Sequence, residues 1–180
     1  MNENDGRRVR GRQRRQELIE AALAVLERDG LSGLTHRAVA AEAGVALASA
    51  TYHFKGIDDL AVSAILQATD GFVRSIRERA DGTSLSGYAA ALADELSKHR
   101  GRLIAGHELY LLAARRPALR EAARAWMLAG TEPLLSGVDD LRGQVFLAVV
   151  DSVCMKALIE DEPPTAGQIE ELLVHALREG

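Results

Sequence analysis

The chain has 180 residues, a formal net charge of −4, 47% hydrophobic residues and only 4% aromatic residues. A core built mainly from Ala, Leu and Val favours helices over strands. No run approaches the roughly 20 apolar residues that cross a bilayer, and the N-terminus lacks the apolar segment of a secretion signal. We therefore expect a cytoplasmic protein, without membrane association, of the all-α class with about nine helices.

Residues that carry enzyme chemistry are scarce. The five histidines show no metal-binding spacing such as HExxH, and the single cysteine, Cys154, excludes a multi-cysteine zinc site. A phosphate-binding GxxxxGK loop and a nucleophile elbow are also missing from the sequence. Glu95, His99, His107 and Glu108 leave open a carboxylate and imidazole cluster, although ordinary surface charges explain the same residues. We predict no metal, no cofactor and no enzymatic activity.

Residues 1–11 are polar and are predicted to form a basic arm that is disordered without a partner. Residues 1–55 carry nine basic and seven acidic side chains, a net charge of +2, whereas residues 56–180 have a net charge of −6. Between Gly6 and Arg15 there are six arginines and no acid. Such a segment suits DNA phosphates or a narrow minor groove, the alternative being a solvated tail.

Residues 12–56 show three short helical patterns. Apolar residues at positions 18, 21, 22, 25 and 26 predict a first helix from near Arg12 to Asp29, ended by Gly30. Thr35 is a good N-cap for a second helix, which ends at Gly44, where a positive φ allows a sharp turn. A third helix is predicted over 47–53, because no Gly or Pro interrupts it. Two short helices joined by a tight turn are typical of a helix-turn-helix.

This region resembles the DNA-binding domain of the tetracycline-repressor (TetR) family of bacterial transcription regulators. The matching positions are Leu34-Thr35, Arg37, Val39-Ala40, Ala43-Gly44-Val45, Ser49, His53-Phe54 and Leu60. Thr51 stands where the family most often has Tyr, and Ile57 where it usually has Lys, a charge that Lys55 is expected to supply instead. The resemblance implies a repressor that binds a near-palindromic double-stranded DNA operator as a homodimer and responds to an unknown small-molecule effector.

The third helix would be the recognition helix that enters the DNA groove. Its exposed face is expected to carry a hydroxyl, a phenol and an imidazole, which suit contacts with base edges and phosphates. An apolar contact from this helix to a thymine methyl group is also expected. The residues predicted to contact DNA are Arg12, Arg14, Arg15, Thr35, Arg37, Leu47, Ser49, Tyr52, His53 and Lys55.

Residues 57–180 are predicted to form an effector-binding and dimerisation domain. A long helix from Ile57 to about Arg79 leaves the helix-turn-helix unit and enters this domain. Pro117, Pro133 and the pair Pro163-Pro164 mark later breaks. Further helices are predicted over 85–99, 102–115, 118–131, 138–160 and 166–178, with Gly101 as a turn.

The resemblance implies an effector pocket within the second domain, between helices 4 and 7. Its candidate walls are the scarce aromatic and mixed-polarity side chains, although an aromatic at helical spacing is more often plain core. The predicted ligand-binding residues are Phe72, Tyr88, His107, Tyr110, Trp126 and Met127. Because few of them are charged, we expect a neutral aromatic or lipid-like effector.

The predicted helix at 138–160 is apolar around much of its circumference and must be covered on more than one side. One side is expected to pack within the protomer, and the other to form a four-helix bundle with the last helix and a second copy. The predicted interface residues are Gly143, Phe146, Leu147, Val150, Cys154, Leu172 and Leu173. Two competing hypotheses are a helical protein-interaction module that does not bind DNA and a small helical enzyme; the arginine-rich segment favours the DNA-binding regulator.

Overall fold

The computed structural model describes residues 3–79 and 84–178, and within these ranges every regular element is helical. This confirms the predicted all-α class. Two short 3₁₀ helices, Pro117–Leu119 and Glu132–Leu135, lie on either side of α7. The α-helices are α1 (Glu3–Gly33), α2 (His36–Glu42), α3 (Leu47–His53), α4 (Ile57–Glu78), α5 (Leu85–Lys98), α6 (Arg100–Arg115), α7 (Arg120–Met127), α8 (Asp140–Ala157) and α9 (Ala166–Leu177).

Helix α1 begins at Glu3, well before the predicted start near Arg12. The arm that the sequence predicts to be disordered is therefore helical from Glu3 onward. Arginine is a good helix former, and extending an existing helix is easier than nucleating one. At the other end, Gly30 interrupts the helical backbone with φ 67° and ψ −171°. Glycine adopts this conformation without the steric cost of a Cβ atom, and it turns the chain toward α2.

The helix-turn-helix has the predicted form. The Thr35 hydroxyl caps α2 by accepting a hydrogen bond from the Ala38 backbone N–H, with a distance of 3.0 Å. Gly44 has φ 64°, and the Val45 N–H donates to the Ala40 carbonyl at 2.9 Å, which closes the turn. Helix α3 then spans the predicted residues, 47–53.

Gly101 lies inside α6 and does not form the predicted turn. The break falls at His99, whose φ of −129° and ψ of 35° separate α5 from α6. A Cβ atom on Gly101 would lie 2.2 Å from the Glu27 carbonyl oxygen, so only glycine lets α6 cross α1 at this distance. The sequence shows the glycine but not the crossing helix that requires it.

Helix α7 is shorter than the predicted span 118–131. Pro117 starts a 3₁₀ turn rather than an α-helical one, and Gly130, with φ 73°, ends the regular backbone after Met127. The Thr131 hydroxyl donates to the Leu128 carbonyl at 2.9 Å and stabilises the turn that follows. The segment between α7 and α8 is therefore a series of short turns.

Two clusters of buried apolar residues hold the described helices together. The first joins α1–α4 with residues of α6 and α7, such as Leu109 and Ala123. The second joins α5, α8 and α9, and includes Tyr88, Phe146 and Ile169. The predicted boundary at 56/57 coincides with the start of α4, but the first cluster continues across it into α6 and α7. In the part of the chain that the structure describes, none of the helices has the length and apolar character required to span a membrane.

Candidate DNA-binding surface and effector cavity

The exposed face of α3 carries the side chains best placed to reach a partner. The Tyr52 side chain is the most exposed large one of this helix, at 85% of its surface, and the Leu47 side chain is also exposed. Thr51 is exposed as well, although its hydroxyl contacts the backbone carbonyl of Ala48 at 3.2 Å. Ser49 lies half-buried at the flank. The face therefore combines an apolar side chain, a phenol and a hydroxyl, whereas the imidazole that the sequence places there, His53, is half-buried.

Tyr52 and His53 form an edge-to-face pair with ring centroids 5.2 Å apart, which limits their rotation. His53 is half-buried, and Lys55, two residues later, is exposed. Of the other predicted phosphate contacts, Arg37 is exposed near the start of α2, and Thr35 is exposed while its hydroxyl serves as the helix cap. These residues surround both ends of the helix-turn-helix.

The three predicted arginines of α1 differ in their surroundings. Arg12 is exposed, and Arg14 pairs with Glu17 at 2.7 Å. Arg15 donates to the Ser63 hydroxyl at 3.0 Å and stacks on the Phe54 ring with its guanidinium carbon 4.9 Å from the ring centroid. Arg15 therefore also joins α1 to α4 and to the end of the helix-turn-helix, a role the sequence does not show.

A cavity of about 70 Å³ lies between α4, α5, α6, α7 and α8. Five of the six predicted ligand-binding residues, Phe72, Tyr88, His107, Trp126 and Met127, line it. Tyr110 does not. The Tyr110 side chain is 47% exposed, because Leu109 and Ala113 turn the opposite face of α6 toward the core. The prediction for Tyr110 as a cavity wall is therefore wrong.

Trp126 is fixed against the backbone of α6. A Cβ atom on Gly106 would lie 2.1 Å from the indole Cε2, so the absence of a side chain on Gly106 creates the space for this ring. His107 meets the same indole edge-on, with ring centroids 4.8 Å apart. The glycine thus determines how deep the largest wall residue sits.

His107 presents a hydrogen-bond acceptor in its neutral form. Its Nδ1 lies 2.8 Å from the Leu103 carbonyl oxygen, and since a carbonyl only accepts, Nδ1 carries the proton. The buried Nε2 atom has no hydrogen-bond partner among the described residues and lies 3.6 Å from a carboxylate oxygen of Asp151. A ligand with an N–H or O–H group would satisfy this nitrogen.

Glu95 is a cavity residue that the sequence offered only as part of an open alternative. It extends from α5 into the lining, and burial raises the pKa of its carboxyl group to about 7, with Arg102 opposing this shift and Glu27 and Asp94 adding to it. The Arg102 guanidinium is itself paired with Glu27 of α1. The cavity therefore contains a carboxyl group that changes its charge near neutral pH.

Asp151 and Cys154 add two more polar groups from α8. The Asp151 carboxylate is partly exposed, so that the cavity wall on this side reaches the surface. Cys154 is buried, and burial, assisted by Asp151, raises the pKa of its thiol to about 12. A thiol that stays protonated is a poor nucleophile, so Cys154 serves here as a small apolar side chain in the cavity wall.

Helix α6 connects the cavity to the DNA-binding helices. Glu108, the neighbour of His107, accepts a hydrogen bond from the Leu31 backbone N–H at 2.7 Å, just after the kink at Gly30. The Arg102–Glu27 pair joins the same two helices six residues earlier along α6. Arg116, at the end of α6, pairs with Asp58 in the first turn of α4.

Most of the residues predicted to form the dimer interface are buried in the protomer rather than exposed. Phe146, Val150, Cys154 and Leu173 are buried in the protomer's own core, and the expectation that they would be exposed is wrong for these four residues. Gly143 and Leu147 are half-buried, and Leu172 is exposed. The exposed apolar stripe runs along the other side of α8 and just beyond it, and its members are Leu141, Val145, Ala148, Met155 and Ile159.

Comparison with known proteins finds family matches to both domains of the chain. Residues 18–64 match the family described as bacterial regulatory proteins, tetR family, and residues 80–179 match the one described as tetracyclin repressor-like, C-terminal domain. The nicotine-responsive transcriptional repressor HdnoR of Paenarthrobacter nicotinovorans is 39% identical over 70 residues, which cover 39% of this chain. The chain spans only about a third of that repressor, 36% of its length.

Several solved structures match along nearly the whole chain. A TetR-family member from Streptomyces coelicolor (SCO1917) is 36% identical with a TM-score of 0.80, and the match covers 92% of this chain and 99% of that one. The multidrug binding protein EbrR complexed with ethidium is also 36% identical, with a TM-score of 0.79 and the same coverage. With family matches to both domains, the chain belongs to the TetR family of transcription regulators.

Proposed function

We propose that this protein is a ligand-responsive transcriptional repressor that binds a near-palindromic operator in the cytoplasm as a homodimer. The observation that carries the proposal is the double role of α6. This helix lines the cavity with Leu103 and His107, and the residue after His107, Glu108, accepts a hydrogen bond from Leu31 near the end of α1. A change at the cavity thus lies one residue away from a contact that positions the DNA-binding helices.

Release of DNA requires that the effector binds one state better than the other. A small molecule that displaced α6 or α4 would favour a conformation whose recognition helices no longer match successive major grooves. A coupling of roughly 1–3 kcal/mol changes operator affinity about 5- to 150-fold. Helix α4 also lines the cavity, with Ile65 and Phe72, so an effector in the cavity would contact α4 as well as α6.

The effector class that the cavity supports best is a planar organic cation. Phe72 and Trp126 offer aromatic contacts, and Glu95 and Asp151 offer negative charge. The Arg102 guanidinium also lines the cavity, but its charge is paired with Glu27. The sequence alone favours a neutral compound because neither carboxylate stands out as a wall residue. The related multidrug binding protein EbrR, which is complexed with ethidium in its crystal structure, is an example of a protein that binds such a cation.

The homodimer is supported by the exposed apolar stripe on α8. Leu141 and Ile159 are 71% and 82% exposed, and the positions 141, 145, 148, 155 and 159 recur at the spacing of one helix face. Such a face in a single protomer marks an interaction surface. The proposed interface is therefore this stripe rather than the buried residues, together with the exposed Leu172 of α9.

The test is operator binding and release. Fluorescence anisotropy against the DNA that flanks the gene should show a specific site with nanomolar affinity, and ethidium should weaken it. A protein that binds no duplex would instead support the helical interaction module, and one that binds all duplexes alike would overturn the specific operator.

A further inference from the structure

The cavity is too small in this structure for the effector proposed above. Its volume of about 70 Å³ holds a few water molecules, whereas small-molecule sites generally measure roughly 300–1,000 Å³. A ligand must therefore move part of the wall to enter. The position of the weakest wall indicates where that movement occurs.

A much larger groove, of about 990 Å³, lies on the outer side of α4. Leu66, Asp70 and Val73 form its α4 side, and the turns after α7, including Leu128 and Pro133, form its other side. Thr69 and Ala129 line both the groove and the cavity. These two small residues are therefore part of the wall that the two spaces share.

This wall has few bonds to break. The Thr69 hydroxyl donates to the Ile65 carbonyl of its own helix at 2.9 Å, so that bond does not cross the gap. On the opposite side, the Thr131 and Leu134 backbone N–H groups donate to carbonyls three residues earlier, at 3.2 and 3.0 Å. The contact between Ile76 and Gly130 is apolar, with the Ile76 Cδ1 filling the position of the missing Cβ. Turns held to a helix by apolar contacts open at lower cost than packed helices.

We propose that this groove is the entrance through which a planar apolar cation reaches the inner cavity, by displacement of the turns around Ala129 from Thr69. Asp70 and Glu132 line the groove and supply negative charge where the cation first binds, while Arg77 lies at the same surface. This inference rests on the proposed effector function. The inference adds a second site to the proposed function, since the cation would bind in the groove before it enters the inner cavity.

An entrance has a specific kinetic signature. A residue that blocks only the path slows association and dissociation by the same factor, and the dissociation constant does not change. Ala125 lines the groove but not the cavity and is exposed, so Ala125→Phe is the test variant. Ala114→Phe is the matched control, because Ala114 is an exposed alanine of α6 that lines neither space.

Stopped-flow measurement of Trp126 quenching by ethidium gives both rates with the full-length protein. We expect Ala125→Phe to slow association and dissociation about tenfold each, with a dissociation constant within about twofold of the unmodified protein, and Ala114→Phe to change neither. Unchanged rates in Ala125→Phe would overturn the entrance and point to the exposed side near Asp151. Absence of ethidium binding to the unmodified protein would overturn the effector class instead.

Discussion

Glu108 of α6 and Leu31, just after the kink of α1, are joined by a hydrogen bond of 2.7 Å in which the Leu31 N–H donates to a carboxylate oxygen. The bond links the helix that lines the cavity to the segment that leads into the helix-turn-helix. Hydrogen bonds to charged groups contribute more to stability than hydrogen bonds between neutral groups. The bond between Leu31 and Glu108 is also partly buried.

We expect Glu108→Ala to lower the free energy of unfolding by about 1–3 kcal/mol, since the Leu31 amide loses its acceptor. Glu108→Gln keeps an acceptor oxygen and should lose less. Urea denaturation measures both. The coupling between ethidium and operator binding should decline in the same order, and full coupling in a folded Glu108→Ala protein would exclude this bond from signal transmission.

Gly106 should not tolerate a methyl group. The added Cβ of Gly106→Ala would lie 2.1 Å from the Trp126 ring, and we expect the displaced indole to cost about 1–3 kcal/mol and to change the emission of this single tryptophan. Gly71→Ala on the exposed side of α4 is the control, since open space surrounds that position. It should gain roughly 0.5–1 kcal/mol through helix propensity.

Glu95 should make effector binding depend on pH. Because its pKa is about 7, the ionised form that attracts a cation is the minor form at pH 6 and the major form at pH 8. We expect the affinity for ethidium to be about tenfold weaker at pH 6 than at pH 8, and Glu95→Gln to remove that difference. Titration of Trp126 fluorescence at the two pH values measures it.

Glu95 should also make folding stability depend on pH. Stability should fall as the pH rises, whereas the affinity for ethidium should increase. The folded protein holds the Glu95 proton up to a pH of about 7, whereas a glutamate carboxyl group in the unfolded chain releases it near pH 4.5. The folded state therefore binds more protons in this window, and stability falls as the pH rises through it. Glu95→Gln should flatten this part of the stability profile, and an unchanged slope would contradict the raised pKa.

The α8 stripe should control the oligomeric state. Val145 and Met155 are both exposed on it, so the double variant Val145→Glu and Met155→Glu would place charges in the proposed interface without disturbing the core. We expect this protein to sediment as a folded monomer with weak operator binding. Leu111→Glu, at an exposed apolar position of α6, should remain a dimer. A double variant that also stayed dimeric would place the interface elsewhere.

Two substitutions separate base contacts from phosphate contacts. Lys55→Ala should weaken binding to all duplexes alike and reduce the slope of log affinity against log salt by about 0.9. Tyr52→Ala, at the most exposed side chain of α3, should change the preference between operator variants. Anisotropy titrations at several salt concentrations measure both effects. If both variants bound the operator with unchanged affinity, α3 would not be the recognition helix.

The helix-turn-helix was predictable because its signals are local. Thr35, Gly44 and the uninterrupted stretch at 47–53 specify cap, turn and helix without reference to distant residues. The cavity depends instead on how five helices rotate against one another. Glu95 on an amphipathic helix has the same pattern whether it faces solvent or a cavity, and burial among α1, α5 and α6 decides between the two.

The dimer interface could not be predicted from the sequence for a different reason. Helix α8 carries apolar residues on most of its circumference. This pattern predicts that two sides of the helix are covered, but it does not predict which side packs inside the protomer. Phe146 and Leu141 are equally apolar in sequence, yet the first is fully buried and the second is exposed. Only the packing of α5 and α9 against one side distinguishes them.

The helical form of residues 3–17 sets a steric limit on how α1 meets DNA. An α-helix with its side chains is about 10–12 Å across, whereas the minor groove of B-DNA is about 6 Å wide. The exposed arginines at 8, 10 and 12 can therefore reach phosphates along the groove edges while α1 stays intact. Insertion into the groove itself would require the first turns of α1 to unwind, and the far-ultraviolet circular dichroism of the protein would then lose helical signal on the operator.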